Sequence, residues 1–237
     1  MQPRALLETL RDLFFPLHCA DCAAPISHGW LCPACHKDLE WIGAPRCDTC
    51  SHPFEGTMDD FVCVNCRGRA FHFDCAVAPL RSRGSLREIV HRFKYGRELW
   101  LVQPLADFLE KGLADSRLAG RTFDGVIGVP LHPRRKRERE FNQSEVLGKE
   151  LARRTGWQYL DALERLRYTV TQTHFDRDNR MQNLRNAFRV RQNAPVSGKN
   201  LLLVDDILTT GSTLDECART LLEAGAQSIC ALTVGRG

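Results

Sequence analysis

The sequence has 237 residues, with 33 Lys and Arg against 29 Asp and Glu, a formal net charge of +4. That length suits one α/β domain with a small appendage, and 43% hydrophobic residues exclude an intrinsically disordered chain. No run is long and apolar enough to be read as a membrane-spanning helix.

In chain order, Leu6, Leu7, Leu10, Leu13 and Phe14 fall at helical spacing, while Glu8, Arg11 and Asp12 interrupt any secretory signal. The expectation is an amphipathic helix over residues 5–15 packed on the body of a cytoplasmic protein. A helix lying on a membrane surface is the alternative.

Nine of the eleven cysteines precede residue 76. Eight form C-x2-C knuckles: Cys19 with Cys22, Cys32 with Cys35, Cys47 with Cys50, and Cys63 with Cys66. One knuckle aims two thiolates from a single turn at one metal, and two knuckles close a tetrahedral four-thiolate site. Four knuckles therefore predict two structural Zn²⁺ ions, with an iron–sulfur cluster or a disulfide framework as alternatives. Sequential pairing is expected: Cys19, Cys22, Cys32 and Cys35 at one site, and Cys47, Cys50, Cys63 and Cys66 at the other. Cross-bracing of alternate knuckles remains open. Trp30, Trp41 and Phe54 are expected to cover the ribbons, and Cys217 and Cys230 to be small core residues.

Residues 74–80 read as a strand. Leu86, Ile89, Val90 and Phe93, and then Leu101, Leu105, Phe108 and Leu109, sit at helical spacing. Strands at 126–129, 201–204 and 229–234 alternate with helices at 144–155 and 212–224. This alternation predicts an α/β fold, a parallel sheet covered on both faces by helices. The division expected is 1–72 for the N-terminal helix and ribbons and 73–237 for the sheet domain. Residues 160–190 break the pattern. Their Gln172, Arg177, Asn179, Arg180, Asn183 and Arg185 suit a hood over a site or an exposed polar helix.

Basic residues concentrate at 81–97, 134–139 and 177–191, which suits a polyanion partner or solvated helix faces. The segment after the strand at 126–129 carries Arg134, Arg135, Arg137 and Arg139, then Asn142 and Gln143. As a basic loop at a strand end it is placed to take pyrophosphate and to stabilise leaving-group charge. His132 and His174 receive no role, since a lone histidine is most often structural.

The most informative segment is 200–213, NLLLVDDILTTGST. A continuous apolar run reads as a strand buried on both faces. Asp205 and Asp206 follow at its C-terminal end, where open α/β sheets bind ligands. Thr209, Thr210, Gly211, Ser212 and Thr213 then lead into a helix. Free amides and the positive end of a helix dipole suit a phosphate monoester, with hydroxyls as further donors. The acid pair suits ribose hydroxyls or Mg²⁺.

The string closely resembles the phosphoribosyl-pyrophosphate motif of type I phosphoribosyltransferases. That resemblance implies ribose binding by Asp205 and Asp206 and 5′-phosphate binding by residues 209–213. The order of four knuckles, HRFKYGRE, VPLHPRRKREREFNQ, TQTHFDRDNRMQNLRNAF and VDDILTTGST resembles the ComF family, which includes competence proteins and proteins associated with use of external DNA. It implies a double zinc ribbon, a phosphoribosyltransferase-like domain that takes phosphoribosyl pyrophosphate with Mg²⁺, and a role in handling imported DNA. Two readings follow: a phosphoribosyltransferase, resting on the acid pair and the loop, or a non-catalytic protein that binds single-stranded DNA and DNA-uptake proteins, resting on the three basic stretches and the ribbons. Glu140 departs from the glycine usual in the family's R-x-R-G-F-N-Q.

Overall fold

The structure is a computed structural model described over residues 17–56, 61–168 and 184–237. The helix expected at 5–15 lies outside the described residues, as do Gln172, Arg177, Asn179, Arg180 and Asn183 of the expected hood.

The chain supplies strands β1 (Cys75–Val77), β2 (Leu80–Arg81), β3 (Gly125–Gly128), β4 (Leu163–Arg165), β5 (Phe188–Val190), β6 (Asn200–Leu208) and β7 (Ser228–Arg236). Its helices are α1 (Pro33–Lys37), α2 (Gly84–Tyr95), α3 (Val102–Leu113), α4 (Pro133–Arg139), α5 (Gln143–Thr155) and α6 (Ser212–Glu223). The main sheet runs β1–β7–β6–β3, with β2 also on β7, and every pair is parallel. Strands β4 and β5 form a separate antiparallel pair within the region expected to be irregular.

Side chains alternate across a strand, and the core is divided accordingly. Leu202 and Val204 face a cluster with Leu86, Ile89 and Phe93 of α2, Leu105 and Leu109 of α3, and Leu147 and Leu151 of α5. Leu201 and Leu203 face Leu214, Cys217, Ala218 and Leu221 of α6. Each such leucine contributes about 1.5–3 kcal/mol by leaving water, so a polar residue on either face of β6 would be costly. The helix-covered parallel sheet is as expected, and Cys217 and Cys230 are both fully buried.

The strand expected at 74–80 is instead two short strands. Pro79 has no N–H to give the ladder, and the Ala78 amide turns aside to the Ser51 hydroxyl at 3.0 Å. The ribbons close against this edge. Ala76 donates to Thr49 O, Ile42 to Pro79 O and Arg81 to Glu40 O, each at 2.8 Å. Trp30 and Trp41 belong to this contact with α3. The Trp30 indole donates to Asp107 at 2.8 Å, and Trp41 meets Phe108 edge-on at 5.9 Å. Phe54 stacks on Phe61 within the second ribbon.

Candidate functional site

The eight knuckle cysteines form two groups, Cys19–Cys22–Cys32–Cys35 and Cys47–Cys50–Cys63–Cys66, each with its sulfurs within 4.8 Å of one another. The pairing is sequential rather than cross-braced. Sulfur–sulfur edges are 3.7 Å for Cys22–Cys32 and Cys47–Cys66 and 3.6 Å for Cys50–Cys63. A tetrahedron with Zn–S bonds of about 2.3 Å has edges of about 3.8 Å, so the donor set fits Zn²⁺. Backbone amides of Cys32 and Cys35 donate to the Cys19 and Cys32 sulfurs, which suits thiolates.

Strand β6 runs through the acid pair to Leu208 instead of ending at 204, because β7 continues beside it, pairing Asp205 with Thr233 and Leu208 with Arg236. The carboxylates therefore stand on a fixed strand. Asp205 accepts from the Ser144 hydroxyl at 2.6 Å and from the Asp206 amide at 2.9 Å. Asp206 pairs with the Lys94 ammonium at 2.8 Å. Burial, and then the neighbouring Asp206 charge, raise the Asp205 pKa from 3.8 to about 6, against the lowering effects of Ser144 and Lys94.

Ser144 is delivered by an unusually close approach. A Cβ on Gly128 of β3 would lie 2.5 Å from Ser144 O and 2.7 Å from the Glu145 amide, so only glycine lets α5 start here. Asn142 caps α5 by accepting from the Ser144 amide and anchors it by donating to Val129 O. Its side chain is thus committed to structure.

The loop after β6 turns at Gly211, whose φ of +80° suits glycine. The N-cap Gly211 has no side chain to offer, the Thr210 hydroxyl accepts from the Ser212 amide at 3.4 Å, and among the described residues the amides of Thr210, Gly211 and Thr213 have no acceptor. Thr210 and Ser212 share a hydroxyl contact of 3.0 Å. Asp205 and residues 207–214 line a cleft at this point. The second zinc ribbon forms the loop's outer wall. Arg69 donates to Thr210 O at 2.8 Å and to the Ser212 hydroxyl at 3.3 Å. Asn65 reaches Thr210 O at 3.5 Å, and the His72 amide donates to Asp215 at 2.7 Å.

The basic segment expected as a loop is helix α4. Pro133 starts it with a preset φ, and His132 Nδ1 accepts from the Arg134 amide. Arg134 pairs with Glu138 and lies over Tyr168, and Arg135 also lies over that ring. Lys136 pairs with Glu145, and Arg139 donates to Gln143 and Tyr95. Lys136 and Arg137 line a cavity of about 700 Å³ that shares no residue with the cleft at the acid pair. The candidate residues thus form two groups, Asp205–Asp206 with 209–213, and α4. Glu140 ends α4 at φ +68°, where the usual glycine would be relaxed, and pairs with Arg97 at 2.7 Å.

Lys94, Ser144 and Arg69 contact these groups without having been singled out as site residues. The sequence signals for Lys94 are its place in the basic stretch 81–97 and in HRFKYGRE.

A family described as a double zinc ribbon domain matches residues 10–68, and one described as a phosphoribosyl transferase domain matches residues 142–236. The chain is 32% identical over 222 residues to DNA utilization protein YhgH of Salmonella typhimurium, covering 92% of this chain and 96% of the relative. It is 29% identical over 224 residues to Competence protein F of Haemophilus influenzae, covering 91% and 95%. Among solved structures, adenine phosphoribosyltransferase from Saccharomyces cerevisiae aligns with a TM-score of 0.38 at 17% identity, covering 59% of this chain and 72% of that one. Four knuckles closed into two four-thiolate centres, a parallel sheet bearing the acid pair and loop, and end-to-end similarity to these relatives make the chain a member of the ComF family of competence and DNA-utilisation proteins.

Proposed function

We propose that this chain binds phosphoribosyl pyrophosphate with Mg²⁺ and acts in the cytoplasm in handling imported DNA. The observation that carries the reading is the loop of Thr210, Gly211 and Thr213, whose amides lack acceptors among the described residues, sharing a cleft with the Asp205 carboxylate, next to Asp206 in sequence. In this reading the loop and the α6 dipole hold the 5′-phosphate, and the carboxylates accept from the ribose hydroxyls. The chemistry such a site suits is pentosyl transfer. An acceptor attacks C1 of the ribose, the C1–O bond to pyrophosphate breaks, and pyrophosphate leaves with the electron pair. Mg²⁺, carried by the ligand's oxygens near the acid pair, would neutralise that charge.

Titration calorimetry with phosphoribosyl pyrophosphate and Mg²⁺ tests the reading. Wild type should bind, and Asp205→Asn/Asp206→Asn should lose at least about tenfold in affinity, since two charge-assisted hydrogen bonds are weakened. Equal affinities would remove the proposal.

A second reading is favoured by the exposed surface around the end of α2. Tyr95, Leu99 and Trp100 are all exposed there, next to Arg97 and Arg139, with Arg139 lying 4.9 Å over the Tyr95 ring. Aromatic faces interleaved with cations suit single-stranded DNA, which stacks on one and pairs its phosphates with the other. Binding of labelled oligonucleotide should weaken steeply with salt and fall in Trp100→Ala. Salt-insensitive binding, or none, counts against it.

A further inference from the structure

Lys94 forms an ion pair with Asp206 of the acid pair. Its Nζ lies 2.8 Å from Asp206 Oδ1, and the two side chains are only 20% and 11% exposed. Its position is set from both sides. Phe93 is buried and packs on Phe141 at 5.3 Å, and the Tyr95 hydroxyl accepts from Arg139. The last turn of α2 is thereby clamped against the junction of α4 and α5, and Lys94, between these two anchors, points its ammonium at β6.

Two further observations bear on what this ammonium is for. The α4 side chains Arg134, Lys136 and Arg139 are engaged with Glu138, Glu145 and Gln143, and the cavity lined by Lys136 and Arg137 is separate from the acid-pair cleft. Gln143, at the start of α5 beside Ser144, is 1% exposed, and its Nε2 has no hydrogen-bond partner among the described residues. A ligand that presents ribose hydroxyls to Asp206 displaces the ion pair, and a lysine on a flexible stem with three donors then needs a new anion.

We propose that Lys94 is a specificity-determining residue for the diphosphate of the ligand. It neutralises Asp206 in the empty site and passes to the pyrophosphate oxygens when the ribose hydroxyls take over the carboxylate. The inference rests on the ligand reading under Proposed function, and assigns the pyrophosphate contact to α2 rather than to the basic helix α4.

Two probes that differ only in the group at C1 separate the possibilities. Phosphoribosyl pyrophosphate carries the diphosphate, whereas ribose 5-phosphate keeps the ribose and 5′-phosphate without it. In calorimetric titrations of the full chain, Lys94→Gln should weaken phosphoribosyl pyrophosphate by about tenfold or more, the scale of one lost charge-assisted contact. Ribose 5-phosphate affinity should not fall, since Lys94→Gln removes the Asp206 ion pair that the ribose hydroxyls must displace, and its binding also shows that the variant is folded. Lys94→Arg, which keeps the charge, should retain most of the affinity for both. Equal losses for the two ligands would mark Lys94 as structural, and an unchanged phosphoribosyl pyrophosphate affinity would remove the contact; either overturns the proposal. Ribose 5-phosphate binding without any phosphoribosyl pyrophosphate binding in wild type would overturn it while leaving the phosphate loop standing, and binding of neither ligand would remove both.

Discussion

At Asp205 the site stores an electrostatic cost. Its pKa rises from 3.8 to about 6 through burial and the adjacent Asp206 charge. The folded chain thus keeps a proton that the unfolded chain has already lost. The sign follows from linkage: the stabilisation from the protonated form is complete below pH 3.8 and is lost as pH rises through about 6. Above that pH, ionised Asp205 costs the folded state up to about 3 kcal/mol. Asp205→Asn keeps an oxygen for the Ser144 hydroxyl and the Asp206 amide and removes the charge. Urea denaturation should find it at least as stable as wild type at pH 7.5, with the advantage shrinking by pH 5. A variant less stable at pH 7.5 would contradict the assigned burial cost.

Between elements, the second ribbon and the loop after β6 form one unit. Arg69, three residues after Cys66, holds Thr210 O and Ser212, His72 holds Asp215, and Phe71 lies 3.2 Å from where a Gly211 Cβ would be. Ribbons of this kind draw most of their folding energy from the metal. Removing zinc from the second site, or Cys63→Ser, should therefore speed hydrogen exchange at the Asp215 and Glu216 amides of α6 by about tenfold or more, the scale of lost charged contacts. Unchanged exchange would show that the loop stands without the ribbon. This coupling was not legible in the sequence, whereas its two halves were. A C-x2-C knuckle and a strand–loop–helix phosphate motif are each contiguous, so their geometry is written locally. Arg69, Ser144 and Lys94 reach the site through packing of the ribbon, α5 and α2, which no local spacing encodes. Helix α4 escaped for another reason: residues 133–139 are nearly all charged and show no apolar periodicity, and the helix is fixed by Pro133 and the His132 cap. At Glu140 the sequence did carry a signal, since a residue replacing the family's glycine stands at a positive φ.

Across the whole molecule, the ribbons and the sheet share their cores. Ala20 and Leu39 of the first ribbon join the cluster on one face of the sheet, and Cys47, Cys50 and Cys63 of the second join the other. Arg117 ties them further, donating to Cys47 O, Asp48 O and Ser51 while paired with Asp115 at 2.8 Å. Among the described residues no helix is long and apolar enough to cross a membrane. The strand order has one more consequence. Strand β7 follows β1, β3 and β6 in the chain, yet it lies between β1 and β6. During translation, β1 therefore waits without its strand partner while both thiolate clusters have long since left the ribosome. Metal capture can precede sheet closure, and the nascent chain must hold an open hydrophobic slot until Ser228–Arg236 emerges to fill it.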